Sequence, residues 1–453
     1  MKREKQAGPR SPSRTAMSFR ILQSSIWFLP SLLTALSILG SFALINIDLY
    51  YFSKVKASPI WLFRVSDEGV RELLSTIATA LITIVSISFS ITIIAVQQAA
   101  NQYSPRVVRT FTSDKGNQFV LGMYLATFIF VIMVLRQVGG PHNFIPIVSI
   151  GVSIFLTLFC LGLLIFFIHR MVNSLQVIRI VQRIHHDLLR GFDLLFPDKI
   201  EAGEAEPQSL DEIMKKEPAS GKGFKLRSGR YGFLNRISKH KLAQINDPDI
   251  RWICVPVKIG DFILYGQVLA EIDHYDGGNT RLEKMIRSAF EFGDRTIESD
   301  PLYGIGQLID ISLRALSPAL NAPANAEYAL YHLGNALSVL AERRVHEIPM
   351  SVPRNPIRFF LNSHSWNEFI HFSFDQIRRN SQQEIRITAL AINIIHHLAD
   401  RIVSRDRARV LSEELSEIRA AVERGAYLDE EKILLIENID QANKKISDRL
   451  KSV

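Results

Sequence analysis

The chain has 453 residues, 47% of them hydrophobic, and carries 53 Lys and Arg against 45 Asp and Glu, a formal net charge of +8. This composition excludes an intrinsically disordered chain, and its two cysteines exclude a disulfide framework. The basic excess is not concentrated in a basic helix with interleaved aromatics, so it gives no argument for nucleic acid as a partner.

Residues 1–22 form a basic tail with Lys2, Arg3, Lys5, Arg10, Arg14 and Arg20, and Met17 offers an alternative start. Four apolar runs follow, at 26–47, 73–96, 119–138 and 144–168, each long enough to cross a bilayer as a helix. The first is longer than the apolar core of a signal peptide and no small-x-small cleavage site follows it. In the third, Arg136 lies near enough to the end for its guanidinium to reach the headgroups. Cys160 in the fourth span and Cys254 in the later part read as small buried hydrophobes rather than reactive thiols.

Loop charges set the orientation. The tail, the second loop (Arg106, Arg109, Lys115) and the segment after the fourth span (Arg170, Arg179, Arg183, Arg190) are basic. The first loop balances its charges, with Asp48 among its acids, and the third, residues 137–143, has no Lys, Arg, Asp or Glu. Both termini are therefore expected in the cytoplasm, with the chain in the cell (inner) membrane and the lipid bilayer as its first partner.

The second span carries a polar seam. Ser75, Thr79, Thr83, Ser86 and Ser90 recur at steps of three or four, and Gln97 and Asn101 continue the line. Gln98, Gln102, Tyr103, Arg106 and Arg109 cluster beyond it, with Ser104 and Pro105 suited to start a short surface helix. Two readings stand. The seam lines a watery path with the amides and arginines as its cytoplasmic mouth, or its small Ser and Thr residues bond to their own helix carbonyls and pack helices together while the arginines hold lipid phosphates. Four spans cannot enclose a wide pore alone, so the first reading requires a homo-oligomer.

A connecting helix is expected over 169–191, with apolar positions Val172, Leu175, Ile178, Val181, Ile184 and Leu188. Residues 197–223, rich in Glu, Lys, Pro and Gly, read as a flexible linker. Over 224–276 the period changes to that of strands: Arg251–Val257, a turn at Lys258–Asp261, Phe262–Tyr265, a turn at Gly266-Gln267, then Val268–Ile272. The pattern Val257-Lys258-Ile259-Gly260-Asp261-Phe262 with Gly266-Gln267-Val268-Leu269 resembles the barrel-sandwich modules of biotinyl and lipoyl carriers. Carriers attach their cofactor to a lysine just beyond it, where this chain reads Glu271-Ile272-Asp273-His274-Tyr275-Asp276. The resemblance thus implies a structural or docking module with no attached cofactor. A helical domain over 280–425 and a charged C-terminal helix over 428–453 complete the chain. The fold class is an α-helical integral membrane protein of four transmembrane helices, with a cytoplasmic α+β part made of this β module and a helical domain.

Further segments carry a second resemblance: Leu74-Ser75-Thr76-Ile77-Ala78, Phe89-Ser90-Ile91-Thr92, Gln102-Tyr103-Ser104-Pro105-Arg106, Arg295-Thr296, Asp300, Gly304-Ile305, Gln307-Leu308, Asp310 and Ala315-Leu316-Ser317-Pro318. From about Trp27 to Arg344 the chain resembles the bacterial membrane-protein family known as domain of unknown function 2254. Where that family reads Asn-Asp-Pro, this chain has Asn321-Ala322-Pro323. The resemblance implies topology and fold but no activity.

Sites for chemistry are sparse. His185-His186 and His396-His397 are adjacent pairs, which a helix points about 100° apart, so neither has zinc-helix spacing and surface or partner-facing roles are expected. Asp261, Asp273 and Asp276 lie at turns, where aspartate is ordinary. No catalytic constellation, cofactor motif or metal-ligand spacing is read from the sequence. The function expected is an oligomeric ion channel or transporter with a cytoplasmic regulatory part. The alternative is a non-transporting scaffold or sensor that binds a cytoplasmic protein or small-molecule ligand; an enzyme ranks third.

Overall fold

The computed structural model describes residues 28–54, 67–102, 115–139, 145–174, 176–200, 223–345, 357–381 and 384–452. They fall into two compact units, Met1–Gln176 and Val177–Val453.

The first unit holds four helices: α1 (Phe28–Lys54), α2 (Asp67–Gln102), α3 (Lys115–Gln137) and α4 (Ile147–Ser174). Each is long and apolar enough to cross a membrane. The third is central: it packs on α1, α2 and α4, and over half of its apolar window is buried. Its core residues Val120, Tyr124, Val131 and Val134 meet Leu74, Ala78, Leu81 and Val85 of α2 and Ile150, Cys160 and Phe167 of α4. Ser37 of α1 donates its hydroxyl to the Ala126 carbonyl of α3 at 2.5 Å. At 36 residues, α2 is about 54 Å long, so it outruns a hydrocarbon core of about 30 Å.

Two ionic caps close one end of this bundle. Asp48, near the C-terminal end of α1 and only 5% exposed, accepts from the backbone N–H of Val148 and of Ser149, both at 2.9 Å, and from the Ser149 hydroxyl at 2.6 Å. These are first-turn amides of α4, which have no partner inside their own helix, and a carboxylate there also meets the positive end of the macrodipole. At the C-terminal end of α3, Arg71 of α2 donates to the Val138 carbonyl. Gly139 follows with φ +75°, the left-handed conformation that ends many helices, and the Arg71 guanidinium lies where its Cβ would stand.

The second unit begins with α5 (Val177–Leu195), so the connecting helix expected over 169–191 is instead the end of α4 and a separate α5. Helix α5 packs on α8 (Pro301–Ala315) and α9 (Pro323–Leu340). Of the segment read as a linker, residues 197–200 are described and Lys199 forms a β-bridge with Arg343; residues 201–222 lie outside the described residues.

Strands β1 (Phe224–Arg227), β2 (Gly232–Ile237), β3 (Trp252–Val255), β4 (Phe262–Ile263), β5 (Val268–Ile272), β6 (Phe290–Phe292) and β7 (Arg358–Leu361) form two sheets. One has the order β1-β5-β3-β7, with β3 and β7 parallel in the register Ile253↔Phe359; the other has the order β4-β2-β6 and is antiparallel. Of the strands expected at 251–257, 262–265 and 268–272, the structure gives 252–255, 262–263 and 268–272; β4 does not return along β3 but pairs with β2 in the other sheet, β3 pairs with β5, and among the described residues no closed barrel forms. The core between them is Leu226, Leu234, Ile253, Val255, Ile263, Ile272 and Phe359, sealed by Leu282 and Ile286 of α7 (Thr280–Ala289), which follows the short α6 (Lys239–Ala243).

The remaining helices are α10 (Trp366–Asn380), α11 (Ile385–Leu398), α12 (Arg405–Arg424) and α13 (Asp429–Ser452). Ser365 and Ser404 cap α10 and α12 by accepting from the N–H groups of Glu368 and Arg407. The largest side chain wholly buried here is Arg407, which donates to the Ala341 carbonyl at 2.6 Å and the Arg343 carbonyl at 2.8 Å, with its guanidinium 5.0 Å from the Trp366 ring. It serves the C-cap carbonyl of α9, where a cation also suits the macrodipole, and the Arg343 carbonyl just beyond the helix.

Candidate functional site

The described part of the seam forms one continuous stripe on α2. Ser75, Thr79, Thr83, Ser86, Ser90, Gln97 and Gln98 are all outside the core, while Leu74, Ala78, Leu81, Val85, Ser88, Ala95 and Ala99 face inward. The hydroxyls are internally satisfied: Thr79 donates to the Ser75 carbonyl (2.9 Å), Thr83 to Thr79 (2.8 Å), Ser86 to Ile82 (2.9 Å) and Ser90 to Ser86 (3.0 Å). These four hydroxyl protons are spent on the helix's own backbone. The stripe does not pack against α1, α3 or α4 of its own chain. Asn101 and Gln102 lie in the last turn of α2, and Tyr103, Arg106 and Arg109 lie outside the described residues.

Asp48 and Arg71 escaped the sequence reading, which counted both as loop charges. A signal was present: each stands at the border of an apolar run, where a lone charge needs a partner. The partners are backbone groups of other helices, which a sequence pattern does not display.

In the second unit, two polar clusters meet where α8 begins. Asp300, 1% exposed, stands at the N-cap of α8, but its carboxylate is committed to Arg295, whose Nε and Nη2 donate to Oδ2 at 2.8 and 2.5 Å. The Arg295 guanidinium lies 5.5 Å from the Phe233 ring and 5.2 Å from the Tyr303 ring. Gly260 turns at φ +95° against this carboxylate, and a Cβ there would collide with Asp300. Thus the hairpin glycine and Arg295, Asp300 and Gly304, noted separately in the sequence, gather at one place; Gly304 abuts Leu188 and Ile297.

Beside it, Lys258 pairs with Glu368, whose other oxygen lies 2.8 Å from His364 Nδ1, and His364 Nε2 faces the Ile259 carbonyl at 3.1 Å. Burial alone pushes the Glu368 carboxyl up, but hydrogen bonds and charge from His364 and Lys258 outweigh it and hold it at about 2, below the ordinary 4.5. A depressed carboxyl contributes stability above its ordinary value and loses it as pH falls from about 4.5 towards 2. The thermal midpoint of wild type should therefore exceed that of Glu368→Gln at pH 7, and the gap should close through that window; a gap constant with pH would contradict the pairing.

Both clusters border a cavity of about 290 Å³. Its lining includes Phe196, Ile237 and Leu361 on the apolar side and Lys239, Arg344 and Asp300 on the polar side. Of the histidine pairs, His185 faces α9, with its ring centroid 4.8 Å from that of His332 and Nε2 3.0 Å from Asn335 Nδ2. Burial pushes both His185 and His332 below the ordinary imidazole value.

A family model described as a predicted membrane protein, domain of unknown function 2254, matches residues 23–397. Uncharacterized proteins of Mycobacterium bovis and Mycobacterium tuberculosis are 27% identical over 415 residues, covering 89% of this chain and 77% of their own length. No solved structure matches the chain.

Proposed function

The chain belongs to the domain of unknown function 2254 family of predicted membrane proteins, and we propose that several copies assemble in the inner membrane with their α2 seams around a shared ion or solute path. The carrying observation is the outward stripe from Ser75 to Ser90, which α1, α3 and α4 of the same chain leave uncovered. Four spans do not enclose a wide path alone, so this reading requires neighbouring copies. Gln97, Gln98, Asn101 and Gln102, with Tyr103, Arg106 and Arg109, form the cytoplasmic mouth in this reading, where positive potential favours anions. The second unit lies in the cytoplasm and governs assembly or opening.

Purified protein in liposomes should pass ions, and Thr83→Leu and Ser86→Leu should each change the flux severalfold, because an isobutyl group replaces a hydroxyl on the path. Absence of flux from wild type across a broad panel of ions overturns the reading.

A second reading, a non-transporting scaffold or sensor, is favoured by the cavity beside Asp300. Apolar walls with Lys239 and Arg344 in the lining suit a small anionic ligand. In the same experiment, absent flux together with capture of a partner that depends on residues 224–344 selects it.

A further inference from the structure

Helices α10 and α12 lie side by side and bring a histidine of one to two glutamates of the other. His371 projects from α10, and Glu414 and Glu417, three residues apart on one face, project from α12. One ligand atom from each lies within 4.8 Å of the other two.

The distances within the group are unusual for hydrogen bonding. His371 Nδ1 is 3.8 Å from Glu414 Oε2, too far for a hydrogen bond, yet suited to two ligands on either side of a cation bonded at about 2.0–2.2 Å to each. Glu414 is 4% exposed, and its Oε1 accepts no hydrogen bond; the nearest cation to it, Arg378 Nη1, is also 3.8 Å away. That guanidinium is already engaged, by Glu417 through Nη1 and by Asp375 through Nη2 at 2.6 Å. Arg379 adds only to Asp375, at 2.9 Å. Three carboxylates, Asp375, Glu414 and Glu417, therefore share two guanidiniums, and Glu414, the most buried of them, has the longest contact and a hydrogen-bond acceptor left unused. A buried charge left so is costly. His371 is more than half exposed, which leaves positions open for water on the outer side.

We propose that His371, Glu414 and Glu417 bind a divalent transition-metal ion of the zinc class that staples α10 to α12. One imidazole nitrogen and two carboxylate oxygens, with water completing the shell, are a donor set suited to zinc. The ion adds positive charge at Glu414, which Arg378, hydrogen-bonded to Glu417 and Asp375, approaches only to 3.8 Å. The site lies within the second unit and is independent of any path along α2.

The test uses full-length protein purified in detergent, stripped with a chelator and titrated with Zn²⁺ against a chromogenic competitor. One ion per chain is expected. His371→Ala and Glu414→Gln should each weaken binding by more than the roughly 10–100-fold that loss of an outer-shell partner costs. Zinc should also raise the thermal midpoint of wild type but not of either variant. His371→Ala removes an exposed side chain and Glu414→Gln keeps the shape while removing a buried charge, so both variants fold. No stoichiometric binding by wild type overturns the proposal, and so does undiminished affinity in the two variants, which would place the ion elsewhere.

Discussion

Replacing Asp48 by Ala should destabilise the four-helix unit by about 3 kcal/mol or more. Three donors lose their acceptor: the N–H groups of Val148 and Ser149 and the Ser149 hydroxyl. A buried donor left unsatisfied costs about 1–3 kcal/mol, and a bilayer offers little water to replace the lost partner. The carboxylate also loses its favourable place at the positive end of α4, worth up to about 2 kcal/mol where partly buried. Asp48→Asn should cost less, since the amide oxygen still accepts one bond. Glu72, an exposed acid on α2, provides the control, and Glu72→Gln should change stability by no more than about 0.5 kcal/mol. Unfolding in mixed micelles with increasing denaturing detergent measures all three. Equal midpoints for Asp48→Ala and Glu72→Gln would remove the cap from the account of this fold.

The second large effect is expected at Arg407. Replacing a buried ionic contact by a well-packed hydrophobe can be neutral when both partners go. Here the partners are the backbone carbonyls of Ala341 and Arg343, which remain after any substitution. Arg407→Ala should therefore cost about 4 kcal/mol, combining orphaned carbonyls with a cavity beside Trp366. Arg407→Met fills most of the space and orphans the same carbonyls, so about 2 kcal/mol is expected. The difference between the two variants separates packing from hydrogen bonding, and thermal unfolding followed by tryptophan fluorescence reads both. Equal losses in the two would mean that the cavity contributes nothing.

The membrane helices were legible because a charge-free run of about 20 residues matches the thickness of a bilayer and is longer than a buried helix of a water-soluble domain commonly needs. The helices of the second unit were legible from their apolar spacing, and Ser365 and Ser404 act as ordinary N-caps just ahead of α10 and α12. Strand β7 was not read. Its four residues Arg358–Leu361 are too few to show a period, and what makes them a strand is parallel pairing with β3, about a hundred residues earlier. The separation of α4 from α5 was also missed, because the apolar spacing runs on from Val172 to Val181 while Gln176 is not helical. Arg407 was hidden for the opposite reason: in an amphipathic pattern an arginine counts as a surface residue, and only its carbonyl partners place it inside. The seam on α2 was legible as a spacing. That it faces away from α1, α3 and α4 depends on which side of α2 they occupy, and spacing alone does not say.

The clasp at Asp48 bears on how the molecule is made. The carboxylate belongs to α1, which is made before α4, and the amides it caps lie 100 and 101 residues further along the chain. Until those residues are synthesised, α1 carries an uncompensated acid at its end, and such a helix is poorly held in lipid by itself. It should wait beside the insertion machinery, or with its end in the headgroups, and settle only when α4 arrives. Helix order in this bundle is then fixed late and all at once, with α3 as the surface on which the others close.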